Sequence, residues 1–283
     1  MPIAEAELWS PDNPFLYMAD ITVSDSKPLD EKSVRFGLRE IRTEGNKILL
    51  NGSPIYLCGY GDDNTEMVTG LPPTDKEVYI KRLRLMKSYG FNYARHHSWV
   101  PFEEYLEAAD EVGMLIQPEA PNAYGNIFLA NAGECFKEWE RIILAFRNHP
   151  SIIFWCAGNE SMYGPLWYQK AKQLDPTRPV NHSDGGGQNV FPTDIYTSTN
   201  HLEGRFNVQQ SPEEDELRRL YPTILHEYGS YCCSLPDMAE MDTYTGVMRP
   251  VTFERYLRKI KKLGLLDKYP LVVKNSRLFL NTT

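Results

Sequence analysis

Apolar positions along the chain recur with two different periods, and the change between them divides it near Glu44. Between Leu8 and Ile41, short alternating runs at 16–23 and 33–41 are separated by Ser10-Pro11-Asp12-Asn13-Pro14 and Asp25-Ser26-Lys27-Pro28, both rich in turn formers. Alternation puts every second side chain on one face, so these runs predict a few antiparallel strands. So small a sheet buries too little apolar surface to offset its chain entropy. Residues 1–44 are therefore expected to be the end of a β-sandwich domain and a linker.

After Glu44 short apolar runs alternate with amphipathic stretches. Strands are predicted at 55–59, 91–95, 114–117, 152–157, 180–183, 194–198 and 224–227, with helices at 74–89, 102–112, 134–147 and 162–174, and helix-like sequence at 252–263 and 269–280. Thr74 and Glu77 have capping-box spacing at the first helix, and Gly90 and Gly113 stand where helices stop. Repeated β/α units build a parallel sheet, and seven of them point to an eight-stranded barrel of about 250 residues. The expected fold class is α/β: a (β/α)8 TIM barrel over 45–283, cut short before its eighth strand, with its active site at the C-terminal strand ends.

Charge narrows the partners. A formal net charge of −8 argues against nucleic acid or an anionic membrane, because both need a basic surface. No apolar run approaches the roughly 20 residues that span a bilayer, and the N-terminal segment lacks the regions of a secretory signal, which leaves location open. Seventeen Tyr and five Trp suit stacking on sugars as well as a dense core. None of Cys58, Cys135, Cys156, Cys232 and Cys233 forms a C-x-x-C pair, so reduced thiols and no zinc site are expected. Gly185-Gly186-Gly187 lacks the Lys-Ser/Thr of a phosphate loop, and no cofactor is implied.

Two glutamates end predicted strands, Glu160 after the fourth and Glu227 after the seventh. One such residue is more often a cap or a solvated charge. Two of them facing one barrel mouth fit glycoside cleavage with retention, in which one carboxyl protonates the leaving oxygen and the other attacks the anomeric carbon from about 5–5.5 Å away.

The run Asn148-His149-Pro150-Ser151-Ile152-Ile153-Phe154-Trp155-Cys156-Ala157-Gly158-Asn159-Glu160 resembles the signature of family 2 glycoside hydrolases. The resemblance extends to Leu8-Trp9-Ser10-Pro11-Asp12-Asn13-Pro14, to Val34-Arg35-Phe36-Gly37-Leu38-Arg39-Glu40-Ile41 and to Leu50-Asn51-Gly52-Ser53-Pro54-Ile55. It implies that the leading sandwich is immunoglobulin-like and that the chain is a retaining exo-β-glycosidase of the β-galactosidase or β-glucuronidase kind. In that resemblance Glu160 is the acid/base, Glu227 the nucleophile, Asn159 a ligand of the sugar 2-hydroxyl and Arg95 the group that orients the nucleophile. Glu119 matches an acidic position near the sugar, while a capping or buried-paired role suits it equally. Where relatives read Arg, two small residues and His-Tyr-Pro, this chain has Arg95-His96-His97-Ser98-Trp99-Val100-Pro101, making His97 and Trp99 candidate wall residues. Tyr196 or His201 is the candidate aromatic beside the nucleophile. The partner expected is a carbohydrate, with no metal required and oligomeric state left open. A catalytically impaired fragment acting only as a carbohydrate-binding or structural module, and an endo-acting glycanase, are the alternatives.

Overall fold

The alternating run after Pro14 folds as a hairpin, β1 (Tyr17–Asp25) antiparallel to β2 (Lys27–Phe36), reversed at Ser26 with φ 44°. The computed structural model describes residues 5–63, 66, 69–121, 132–159, 164–181, 193–200, 212–228, 238, 246, 249, 251–271 and 273. β2 stops at Phe36, short of the expected Ile41, because the next residues leave the hairpin. A Cβ on Gly37 would lie 2.7 Å from Pro150 Cγ, so only glycine permits this approach, and Arg39 donates to Pro150 O at 2.9 Å and to Ile152 O. A second small sheet, unforeseen in the sequence, follows as β3 (Ile41–Glu44), β4 (Lys47–Leu50) and β5 (Ser53–Pro54).

Next come the strands of the β/α region. β6 (Gly59–Asp62), β7 (Tyr93–His96) and β8 (Leu115–Pro118) form a parallel sheet in that order. Parallel bridges Ile116↔Ile152 and Glu119↔Cys156 carry it on towards β9 (Trp155–Cys156), which pairs in parallel with β10 (Val180–Asn181). β11 (Tyr196–Asn200) and β12 (Thr223–Tyr228) form another pair. Among the described residues these strands do not close into a barrel. The strand expected at 55–59 lies instead at 59–62, since Ile55 N is still bonded to Ile48 O of β4 at 3.0 Å.

Helices α1 (Lys76–Ser88), α2 (Glu103–Val112), α3 (Ala132–Phe146) and α4 (Gly164–Leu174) stand close to where they were expected. The cap of α1 differs: Asp75, not Thr74, is the N-cap, and its Oδ1 accepts from Glu77 N at 2.9 Å. Asp75→Ala is therefore expected to lower stability by about 1 kcal/mol in urea unfolding, and a change under about 0.3 kcal/mol would refute the capping role. α5 (Pro212–Leu220) was missed because its only aliphatic side chains are Leu217 and Leu220, too few for a period.

Strand alternation sorts the core into two layers. Tyr93 and Leu115 join Trp9, Ile41, Ile48, Leu50, Ile153, Phe154, Ile195 and Ile224 in one cluster. Their neighbours Ala94 and Ile116 face the helices, packing with Leu83, Leu106, Trp139, Ile143 and Trp155. The first cluster thus ties the N-terminal segments to the base of the parallel strands. Trp9 is fully buried there, its indole donating to Asp110 O at 2.8 Å.

The chain divides into two compact units, Met1–Thr199 with Gln209–Glu227, and Asn200–Val208 with Tyr228–Thr283. In the second, α6 (Val251–Lys262) leads to a 3-10 turn, Leu266–Lys268, and the rings of Phe253 and Tyr269 meet at 5.7 Å.

Candidate active site

The C-terminal ends of β7, β8 and β9 converge on one buried carboxylate. Glu119, one residue past β8, is 0% exposed. Its Oε1 accepts from Arg95 Nε at 2.6 Å and from Gln117 Nε2 at 2.9 Å, and its Oε2 accepts from Ser98 N at 2.8 Å. Arg95 and Gln117 are Cα partners in adjacent strands, and alternation puts both on the face of Tyr93 and Leu115. Tyr93 Oη in turn donates to Gln117 Oε1. A buried charge needs such pairing, since leaving it bare costs several kcal/mol.

From this centre Arg95 reaches towards β9. Its Nη2 donates to Asn159 Oδ1 at 3.0 Å, which leaves Asn159 Nδ2 as the amide's donor, at the residue just before Glu160. The arrangement presents an oriented amide N–H beside a fixed guanidinium, a donor set suited to sugar hydroxyls. Among the described residues no group of three or more His, Cys, Asp and Glu could hold a metal ion.

The turn after β7 brings in His97 and Trp99, both half-buried. His97 N and the Trp99 indole donate to the same carbonyl, Asp62 O at the end of β6, at 3.0 and 2.7 Å. His97 Nδ1 also lies 3.6 Å from Asp63 Oδ1. His96 points the other way, towards α2, with its ring edge-on to Trp99 and Tyr105 at 4.6 and 4.7 Å. It is fully buried, neither ring nitrogen has a hydrogen-bond partner among the described residues, and burial pushes its pKa down to about 3.

Arg95, Glu119 and Asn159 thus share one hydrogen-bonded cluster, with His97 and Trp99 on the turn that it holds. Tyr196 is buried and is the first residue of β11. Glu227 is the fifth residue of β12. Its side chain, Glu160 and His201 lie outside the described residues. Sequence reasoning missed Gln117, Ser98, Tyr93 and Asp62; only the i, i+2 spacing of Gln117 and Glu119 hinted that those two side chains share a face.

Residues 41–274 match the family model for the glycosyl hydrolases family 2 TIM barrel domain, and residues 1–39 match a second model, glycosyl hydrolases family 2. A β-galactosidase of Photobacterium profundum is 28% identical over 206 residues, covering 68% of this chain and 20% of that protein. One from Pectobacterium atrosepticum is 30% identical over 208 residues, with 69% and 20% covered. Among solved structures, a GH2 β-galacturonidase from Eisenbergiella tayi bound to galacturonate superposes with a TM-score of 0.68 at 26% identity, covering 80% of this chain and 44% of that one. A β-glycosidase from Bacteroides vulgatus gives 0.56 at 30% identity, with 68% and 26% covered. The chain spans about a fifth of the length of the curated relatives it matches.

Proposed function

Because this chain belongs to glycosyl hydrolase family 2, we propose that it carries the catalytic barrel of a retaining exo-β-glycosidase acting on terminal β-linked sugars. Residues 1–44 are read as the end of an immunoglobulin-like sandwich with its linker, and 45–283 as the barrel. The family boundaries at 39 and 41 support that division.

The observation that carries the proposal is the buried Arg95–Glu119–Asn159 cluster at the C-terminal ends of adjacent parallel strands, where barrel enzymes keep their chemistry. In the proposed reaction Glu227 attacks the anomeric carbon while Glu160 gives its proton to the departing glycosidic oxygen. Water then attacks the same carbon, Glu160 takes a proton from it, and the Glu227 ester bond breaks. Arg95 holds the Asn159 amide with its N–H directed at the sugar, and Trp99 offers an apolar face for the ring. Names of relatives point to galactosides and hexuronides as the first sugars to try.

Incubating the chain with 2-fluoro β-galactosides and β-glucuronides and mapping the labelled peptide tests this. The label is expected on Glu227; turnover of nitrophenyl glycosides with the label on another carboxylate would overturn the assignment. The second reading is carbohydrate binding without turnover. It predicts saturable sugar binding with neither label nor released nitrophenol.

A further inference from the structure

We infer that Glu119 is a positioning residue that works by clamping a strained turn: it holds Ser98 in the left-handed region and so sets the wall carrying His97 and Trp99. The inference rests on the glycosidase reading only for what the wall does, not for the clamp itself.

Ser98 has φ 59°, a region that only glycine enters without steric penalty. Asn and Asp tolerate it when their own side chains bond the local backbone. Ser98 lacks that compensation, because its hydroxyl is buried with no hydrogen-bond partner among the described residues. Two of the bonds that hold the turn come from one residue outside it. Glu119 Oε2 accepts from Ser98 N at 2.8 Å, and Glu119 N donates to Trp99 O at 3.2 Å. The amide that enters the strained residue and the carbonyl of the residue after it are thereby fixed to the end of β8. Glu119 is also bridged in parallel to Cys156 of β9, so the anchor is itself part of the sheet.

The consequence appears two bonds further on. His97 N, ahead of the strained residue, continues the β6–β7 ladder onto Asp62 O, and with Ser98 held left-handed the chain doubles back far enough for Trp99 Nε1 to reach the same carbonyl. Released to an ordinary φ, the turn would carry Trp99 off that carbonyl. A fully buried carboxylate serving three donors in this way acts on a sugar through the wall and through Arg95, not by contact.

Suppression separates the clamp from a sugar contact. In the full chain, Glu119→Gln is expected to raise KM on a nitrophenyl β-glycoside about tenfold. Acrylamide quenching of Trp99, isolated by subtracting the signal of Trp99→Phe in each background, should at least about double. Adding Ser98→Gly to Glu119→Gln removes the steric penalty of the turn, so the double variant should recover about fivefold in KM and most of the Trp99 shielding. If Glu119 touched the sugar, glycine at 98 would restore nothing. Failure of the double variant to recover either quantity, or wild-type quenching in Glu119→Gln, overturns the clamp. Should Glu119→Gln not fold, Glu119→Asp, which withdraws the carboxylate from Ser98 N, is read in the same way, and unfolding of both overturns a local role for Glu119. A wild-type chain that hydrolyses no glycoside would count against the proposed function, while Trp99 quenching would still decide the clamp.

Discussion

Arg95→Met is expected to lower the unfolding free energy by about 3–5 kcal/mol in guanidinium titration, the loss that follows when one partner of a buried ion pair is removed. The driving term is not the lost attraction. Glu119 is 0% exposed, and without Arg95 its charge stays in the interior with the Gln117 amide and the Ser98 N–H as its remaining partners in this cluster. The double variant Arg95→Met/Glu119→Leu is expected to regain most of that loss, because an apolar pair of similar volume can replace a buried ion pair at little cost. Recovery stops short of wild type, since Gln117 Nε2 and Ser98 N lose their acceptor at about 1 kcal/mol each. On the proposed function, turnover is expected to stay low in both variants, because Asn159 Oδ1 has lost the donor that orients its amide. A loss under about 1 kcal/mol for Arg95→Met would sink this account of the cluster.

Acid should destabilise this protein through His96, and His96→Phe should remove that part of the effect. The folded-state pKa is about 3 against an ordinary value of 6.5, with desolvation as the cause. Unfolded chains bind the proton as pH falls through about 6.5, whereas the folded chain refuses it until about pH 3. Stability is therefore lost across that window at roughly 1.4 kcal/mol per pH unit, on the order of 4–5 kcal/mol in all. The flanking rings do not offset it. Trp99 does not ionise in this range, and burial holds the Tyr105 hydroxyl well above its usual range, so it stays neutral. At pH 7 the Phe variant is expected within about 1 kcal/mol of wild type, because it removes two unpartnered buried nitrogens while adding bulk. The difference between the two denaturation curves, followed from pH 7 to pH 4, isolates His96 from the carboxylates that titrate alongside. Parallel curves would mean that His96 takes up its proton in the folded state.

The motif of residues 148–160 divides its work between its two halves. Its first half is architectural: His149 Nδ1 lies 2.7 Å from Asp110 Oδ2, Ser151 N donates to Asp110 Oδ1 at 3.0 Å, and the carbonyl oxygen of Ile152 accepts from both Arg39 and Arg178. Asn159, near the other end, serves the cluster above the strands. Gly37 and Arg39 of another motif meet Pro150 directly. Segments that carried the family resemblance separately are thus one packed base.

Local chemistry was enough to read the α/β alternation, four of the helices and the family, because each depends on spacing within about a dozen residues: apolar periods, Gly90 and Gly113 as stops, and an unbroken signature. The family resemblance named Arg95, Asn159 and Glu119 as candidates, and the same periods located the strand ends beside which they stand. What spacing lacked was anything set by contacts distant in sequence. The cap moved from Thr74 to Asp75 and the first strand from 55 to 59 because hydrogen bonds, not periods, set the ends. Whether Glu119 faces solvent or lies buried beneath Arg95, Gln117 and Ser98 was decided only when β7 and β8 came side by side, for a carboxylate's partners 21 and 24 residues away leave no trace in its own neighbourhood.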